Sequence, residues 1–157
     1  MPPDAAKAAK RGDGLLALEH FLPYRLSVLS NTVSGRIAKS YAQRFQLTIP
    51  EWRAMAVLGR FPGLTAAEVT ERTAMDKVQV SRAVARLKKT HRIEQRAVEG
   101  DRRARHLFLT QAGQEIYAQI VPLALDYERR FTASLIASER AQLERLLDKL
   151  AAAAAEL

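Results

Sequence analysis

Apolar positions recur along this chain in blocks of helical period, separated by short polar or Gly/Pro-containing breaks. In "MDKVQVSRAVARL", Met75 to Leu87, the residues Val80, Ala83, Val84 and Leu87 fall at i, i+3, i+4 and i+7. That spacing is one narrow apolar stripe of an amphipathic helix facing a core. The opposite face carries Val78, Arg82, Ala85 and Lys89, flanked by Gln79, Ser81 and Arg86. A longer stripe of Leu15, Leu18, Leu22, Leu26 and Leu29 runs through residues 15–45, and a further helix after Ser138 lines up Leu143, Leu146, Leu147 and Leu150. Long terminal helices bury little against a small helical core, so these stripes are expected to meet a second subunit.

Helix starts are legible from capping chemistry, because the first N–H groups of a helix need acceptors. Thr48 with Glu51, Thr65 with Glu68 and Asp76 with Gln79 have capping-box spacing, and Leu47/Trp52, Leu64/Val69 and Met75/Val80 fill the staple positions. They predict helices at 49–60, 66–73 and 77–90, broken by "FPG" at 61–63 and "TAM" at 73–75. The last two helices are spaced as a helix-turn-helix, whose second helix enters the major groove. After Arg92 the period changes: "RIEQRAV" and "ARHLFLT" flank "EGDRR", which reads as a hairpin with a basic tip, a wing. Thr110 is an N-cap for a long helix expected to bend at Pro122. The expected fold is mainly α with a small β-hairpin wing. Its segments are a basic arm at 1–14, an N-terminal dimerisation helix at 15–45, a winged helix-turn-helix at 46–110 and C-terminal dimerisation helices at 111–157.

Charge sharpens this picture. The 157 residues are 48% hydrophobic, enough for a core without external staples, and carry a formal charge of +8. Residues 76–105 alone hold ten Lys or Arg against four acids, six of the eight excess charges. The basic stretch points to a polyanion, and on the helix it surrounds groups suited to base edges. We therefore expect Lys77, Val78, Gln79, Ser81, Arg82, Arg86 and Lys89, with the wing residues Arg102, Arg103 and Arg105, to contact DNA. Exposed Val78 and Ala85 argue against a merely solvated cationic face. In the wing, Arg102 and Arg103 are placed to reach a minor groove, whose negative potential attracts guanidinium groups, although one of them, Arg103, has Asp101 as an alternative partner. Lys7, Lys10 and Arg11 of the arm have phosphate contact or plain disorder open to them.

The chain contains no cysteine, which excludes disulfides and thiolate metal sites. It shows neither an 18-residue apolar run nor a signal-peptide core, so a cytoplasmic protein with no membrane partner is expected. There is no Gly-rich phosphate loop, and His20, His91 and His106 have no metal-ligand spacing with carboxylates. We expect no enzyme, no cofactor and no metal.

The order of helices, wing and flanking helices resembles the MarR family of winged helix-turn-helix transcriptional regulators over about residues 15–150. The most specific stretches are "GLTAAEVTERTAMDKVQVSRAVARLKK" at 63–89, "EGDRRARHLFLTQAG" at 99–113 and "LTIPEWRAMAVL" at 47–58. The resemblance implies a homodimer that binds a pseudo-palindromic double-stranded operator, acts as a repressor and is released by a small ligand. It also implies an effector pocket between the dimer helices and the DNA-binding lobe. That maps onto Tyr24, Arg25, Ser30, Trp52 and Met55, with Arg25 as counter-charge for an anionic aromatic compound or its coenzyme A thioester. Two positions depart from the family pattern. His91 and Arg92 stand where relatives commonly place "GL", and Val78 where a hydroxyl residue is common. The competing reading is a sequence-neutral architectural protein that coats DNA.

Overall fold

The structure is a computed structural model that describes residues 14–157; apart from Gly14, the basic arm expected at 1–14 lies outside the described residues. Six α-helices and one antiparallel hairpin follow each other as α1 Leu22–Phe45, α2 Ile49–Arg60, α3 Ala66–Arg72, α4 Lys77–Lys89, β1 Ile93–Val98, β2 Asp101–Leu109, α5 Gln111–Phe131 and α6 Ala137–Ala155. The chain divides into two compact units, one ending at Arg36 and the other spanning Ile37–Leu157. Among the described residues no helix is long and apolar enough to cross a membrane.

All three capping boxes form. The side chains of Thr48, Thr65 and Asp76 accept from the N–H groups of Glu51, Glu68 and Gln79, which return their own side-chain acceptors to the cap N–H groups. Thr110 likewise accepts from the N–H of Gly113 to open α5, which runs through Pro122 as one helix. Entry to α6 is different. Its cap is Ile136, which has no side-chain acceptor, and only Glu139 closes the turn by accepting the Ile136 N–H at 3.0 Å.

The first helix is shorter than its apolar stripe. Residues 15–45 are not one helix: a single 3-10 turn at Leu18–His20 precedes α1, which starts at Leu22. Pro23 sits in the first turn of α1, the one place in a helix where its missing N–H is harmless; upstream continuation would bring its ring against a preceding carbonyl. In this first unit Leu22, Leu26 and Leu29 are all exposed.

The second unit holds the core. Tyr41 and Phe45 from the end of α1 pack with Ala54, Met55 and Leu58 of α2, Val69 of α3, Val80 and Leu87 of α4, Leu107 and Leu109 of β2 and Ile120 of α5. The stripe read on α4 is therefore its inner face. Val80 and Leu87, at most 1% exposed, contribute about 1.5–3 kcal/mol each by leaving water. The hairpin is tied to the corner between α2 and α3, where Leu107 N–H donates to Leu64 C=O and Gly63 N–H donates to Leu107 C=O.

Candidate nucleic-acid interface

With its inner face buried, α4 presents Lys77, Val78, Gln79, Ser81, Arg82, Arg86 and Lys89, all exposed. Val78 is 57% exposed, an apolar side chain held out among donors. Two of these residues also have work inside the fold. Gln79 accepts the N–H of Asp76 on its amide oxygen at 3.2 Å, which leaves that oxygen a second lone pair. Bidentate recognition of adenine uses both ends of the amide, so at Gln79 it would share the oxygen with this capping bond. Arg86 sets its Nε 2.9 Å from Glu51, whose side chain is 3% exposed. The other Glu51 oxygen accepts the Thr48 N–H at 2.6 Å. This buried carboxylate is thus satisfied on both sides, and it fixes α4 against α2 while the rest of the Arg86 guanidinium stays at the surface. Lys88 adds a tie to the wing by donating to Gln95 at 2.9 Å.

The wing differs from its expected form. The turn is only Glu99 and Gly100, with Gly100 at φ +86, so Asp101, Arg102 and Arg103 belong to β2 rather than to the tip. Gly supplies the left-handed conformation that lets the chain reverse in so few residues. Register then slips. Arg96 opposes His106 but Val98 opposes Asp101, so residues 102–105 of β2 face the single residue Ala97 on β1. Arg102, Arg103 and Arg105 all project from this bulge, and all are exposed.

Asp101 and His106 organise the bulge. Asp101 accepts the Ala104 N–H at 3.1 Å and lies 3.3 Å from His106 Nε2, while His106 Nδ1 lies 2.7 Å from the Gly63 carbonyl. The N–H of Ala104 is the main cause holding the Asp101 carboxyl below its usual range, and contact with the Gly63 carbonyl is the main cause raising the His106 imidazole above its own. The Asp101 carboxylate thus serves the bulge backbone and the imidazole. The Arg103 guanidinium has no ion pair among the described residues. Sequence reading missed both the Glu51–Arg86 pair and this clamp; its only hint of either was the capping-box spacing of Glu51.

The five effector candidates fall in both units. Tyr24, Arg25 and Ser30 are exposed on α1 in the first unit. In the second, Met55 is 0% exposed in the core, and half-buried Trp52 has its ring 5.6 Å from Tyr41 and 6.0 Å from Tyr117. Burial pushes the Tyr41 hydroxyl up to about 12. Met55 therefore contributes volume beneath an aromatic cluster rather than free surface. Of the histidines, His20 is exposed in the 3-10 turn and His91 is exposed beyond the end of α4. Among the described residues no three metal-binding side chains come together.

Comparison with known proteins agrees with this arrangement. Residues 45–104 match the model of the MarR family. Transcriptional regulator HosA of Escherichia coli O157:H7 is 24% identical over 104 residues, 66% of this chain and 77% of its own. A MarR/EmrR family transcriptional regulator from Acinetobacter sp. ADP1 superposes with a TM-score of 0.83 at 25% identity, covering 90% of this chain and all of that one. A mutant MarR from E. coli, complexed with operator DNA, shares the fold at a TM-score of 0.71 and 24% identity over 87% of this chain and 99% of its own. An α4 with a buried inner face and a donor-rich outer one, followed by a basic wing, is thus the arrangement that this chain shares with MarR family transcriptional regulators, whose family model it matches over residues 45–104.

Proposed function

We propose that this chain is a sequence-specific repressor that binds a pseudo-palindromic operator as a homodimer and leaves it when a small ligand binds. The observation that carries the reading is the outer face of α4, where Val78 is 57% exposed among the exposed residues Arg82, Ser81 and Gln79. A helix that only neutralises phosphate needs charge, whereas an apolar group among donors suits a thymine methyl beside base edges. Arg82 and Gln79 read bases, Val78 packs on a methyl, and Arg102, Arg103 and Arg105 take the backbone and minor groove. Lys77, Ser81, Arg86 and Lys89 complete the contact surface. The half-site centres lie about 10 base pairs, or a multiple of that, apart.

The effector reading is an anionic aromatic compound or its coenzyme A thioester. It is supported by the family resemblance and by Arg25 and Tyr24, exposed on α1, as a cation and a ring suited to an aromatic acid. Release needs only a differential affinity for the two states of the dimer, typically ~1–3 kcal/mol. Thermal shift against aromatic acids and acyl-thioesters tests this part, with Arg25→Ala expected to abolish any acid-induced stabilisation.

The DNA reading is tested by salt titration of binding on a selected operator and on scrambled duplex. Arg82→Ala is expected to cost on the order of 1–3 kcal/mol on the operator and clearly less on scrambled DNA. Arg103→Ala is expected to weaken both to a similar degree and to flatten the salt dependence by roughly one unit per lost phosphate contact. If both substitutions lose affinity equally on both duplexes, α4 is a cationic surface and the protein coats DNA without reading it.

A further inference from the structure

Three helix ends meet on one residue of this chain. Arg92 lies just beyond α4, where His91 adopts φ 56. The His91 N–H donates to Lys88 C=O at 3.0 Å and the Arg92 N–H to Leu87 C=O at 2.9 Å, the pair of bonds that closes a helix through a left-handed residue. Glycine is the ordinary occupant of that conformation, so a histidine there is held by its surroundings. The Arg92 side chain reaches the C-terminus of α1, donating to the carbonyls of Phe45 and, at 3.4 Å, Gln46. Gln46 is itself left-handed at φ 54, and Leu47 N–H closes α1 by donating to Ala42 C=O. A guanidinium on the last carbonyls of a helix also complements its dipole.

The third end is the start of α5. Arg92 C=O accepts the Thr110 N–H at 3.0 Å, and the Thr110 hydroxyl donates to His91 C=O at 2.7 Å. Gly113 presses so close that a Cβ there would stand 2.0 Å from the Arg92 carbonyl oxygen. Backbone N–H, backbone C=O and side chain of Arg92 thus each bind a different helix.

We infer that Arg92 is a positioning residue for DNA recognition: it fixes the angle of α4 against α1 and α5, and so the spacing at which two copies of α4 meet two half-sites. This rests on the two-lobed operator reading above. Arg92 needs no contact with DNA to act. Its planar fork reaches two carbonyls at once, which a lysine ammonium on a flexible stem does not reproduce, although it keeps the charge.

The test uses the full chain and the duplex that it enriches from a randomised library. Arg92→Leu and Arg92→Lys are compared with wild type on that duplex, on versions with the spacer changed by one or two base pairs, and on scrambled DNA, with thermal unfolding as a check on folding. Arg92→Leu is expected to lose roughly tenfold or more on the selected duplex, twofold or less on scrambled DNA, and to flatten the spacer preference. Arg92→Lys is expected to flatten it too, with charge intact. Should Arg92→Leu fail to fold, Arg92→Lys decides. A folded Arg92→Lys with wild-type affinity and spacer optimum overturns the inference, as does an equal loss by Arg92→Leu on both duplexes. A wild type that enriches no sequence overturns the operator reading together with the inference. Enrichment with variants that match wild type overturns the inference alone.

Discussion

His106 has an acceptor at each ring nitrogen, the Gly63 carbonyl on one side and the Asp101 carboxylate on the other. Neutral imidazole carries one N–H and can donate to only one of them; the imidazolium donates to both. Glu68 on α3 adds a favourable charge, and Arg96 is the cationic residue paired with His106 across the ladder on β1. The net shift is upward, so the clamp stabilises the fold fully below the ordinary histidine value and loses that contribution as pH rises through the raised one. Asp101 has the opposite sign: held below its usual range, it contributes above the ordinary carboxylate value and loses that contribution as pH falls through its depressed one. The bulge that carries the wing arginines is therefore firmest in the acidic range between those limits. Thermal unfolding of wild type against His106→Asn, which keeps a donor toward Gly63, is expected to show a difference that is largest below the ordinary histidine value and shrinks as pH rises past the raised one. A pH-independent difference would show that the second ring nitrogen makes no contribution.

At the scale of elements, what could be read from the chain was whatever obeys a local spacing rule. Three capping boxes and the α4 stripe follow from residues three or four apart, and these elements start where the residues placed them. Pro23 carried a readable signal for the start of α1, which the continuing leucine stripe overrode. Contacts between elements left no such trace. Glu51 announces itself as a capping residue, but its second oxygen meets Arg86, far along the chain, only once α2 and α4 are packed. The Arg92 junction was legible as a departure at His91 and Arg92, but nothing in the sequence pointed to Gln46 as the second left-handed cap. The Glu51–Arg86 pair has a measurable consequence. Arg86→Ala leaves a buried carboxylate without its cation and is expected to cost roughly 1–3 kcal/mol in urea unfolding, below the cost for a fully buried pair because Arg86 is largely in water. Glu51→Gln, which keeps an acceptor for the Thr48 N–H, is expected to cost less. Equal costs, or none, would mean that the pair does not hold α4 in place.

For the molecule as a whole, the largest unmet demand is apolar surface. No residue of α6 is buried, and Leu143, Leu146, Leu147 and Leu150 stand 42–46% exposed along one side of it. Its described polar contacts to α5 amount to Arg140 reaching Glu128 at 3.5 Å, a surface pair worth little. A stripe of four leucines left in water has the character expected of an association surface, and each leucine stands to gain up to about 1.5–3 kcal/mol by complete burial, less the part already covered. A second copy of the same chain is the partner that the homodimer reading requires, with the stripe of one copy meeting that of the other or another apolar face of it. Leu146→Glu with Leu150→Glu places two carboxylates one turn apart on that stripe and leaves the buried residues of the lobe untouched. Light scattering is expected to show the wild type at twice the chain mass without DNA, and the double variant at the chain mass, with operator affinity reduced far more than affinity for scrambled duplex. Removing residues 138–157 should cost dimerisation and solubility together. A truncated chain that stays monodisperse as a monomer and still binds operator as wild type does would refute the dimer, and with it the need for two half-sites.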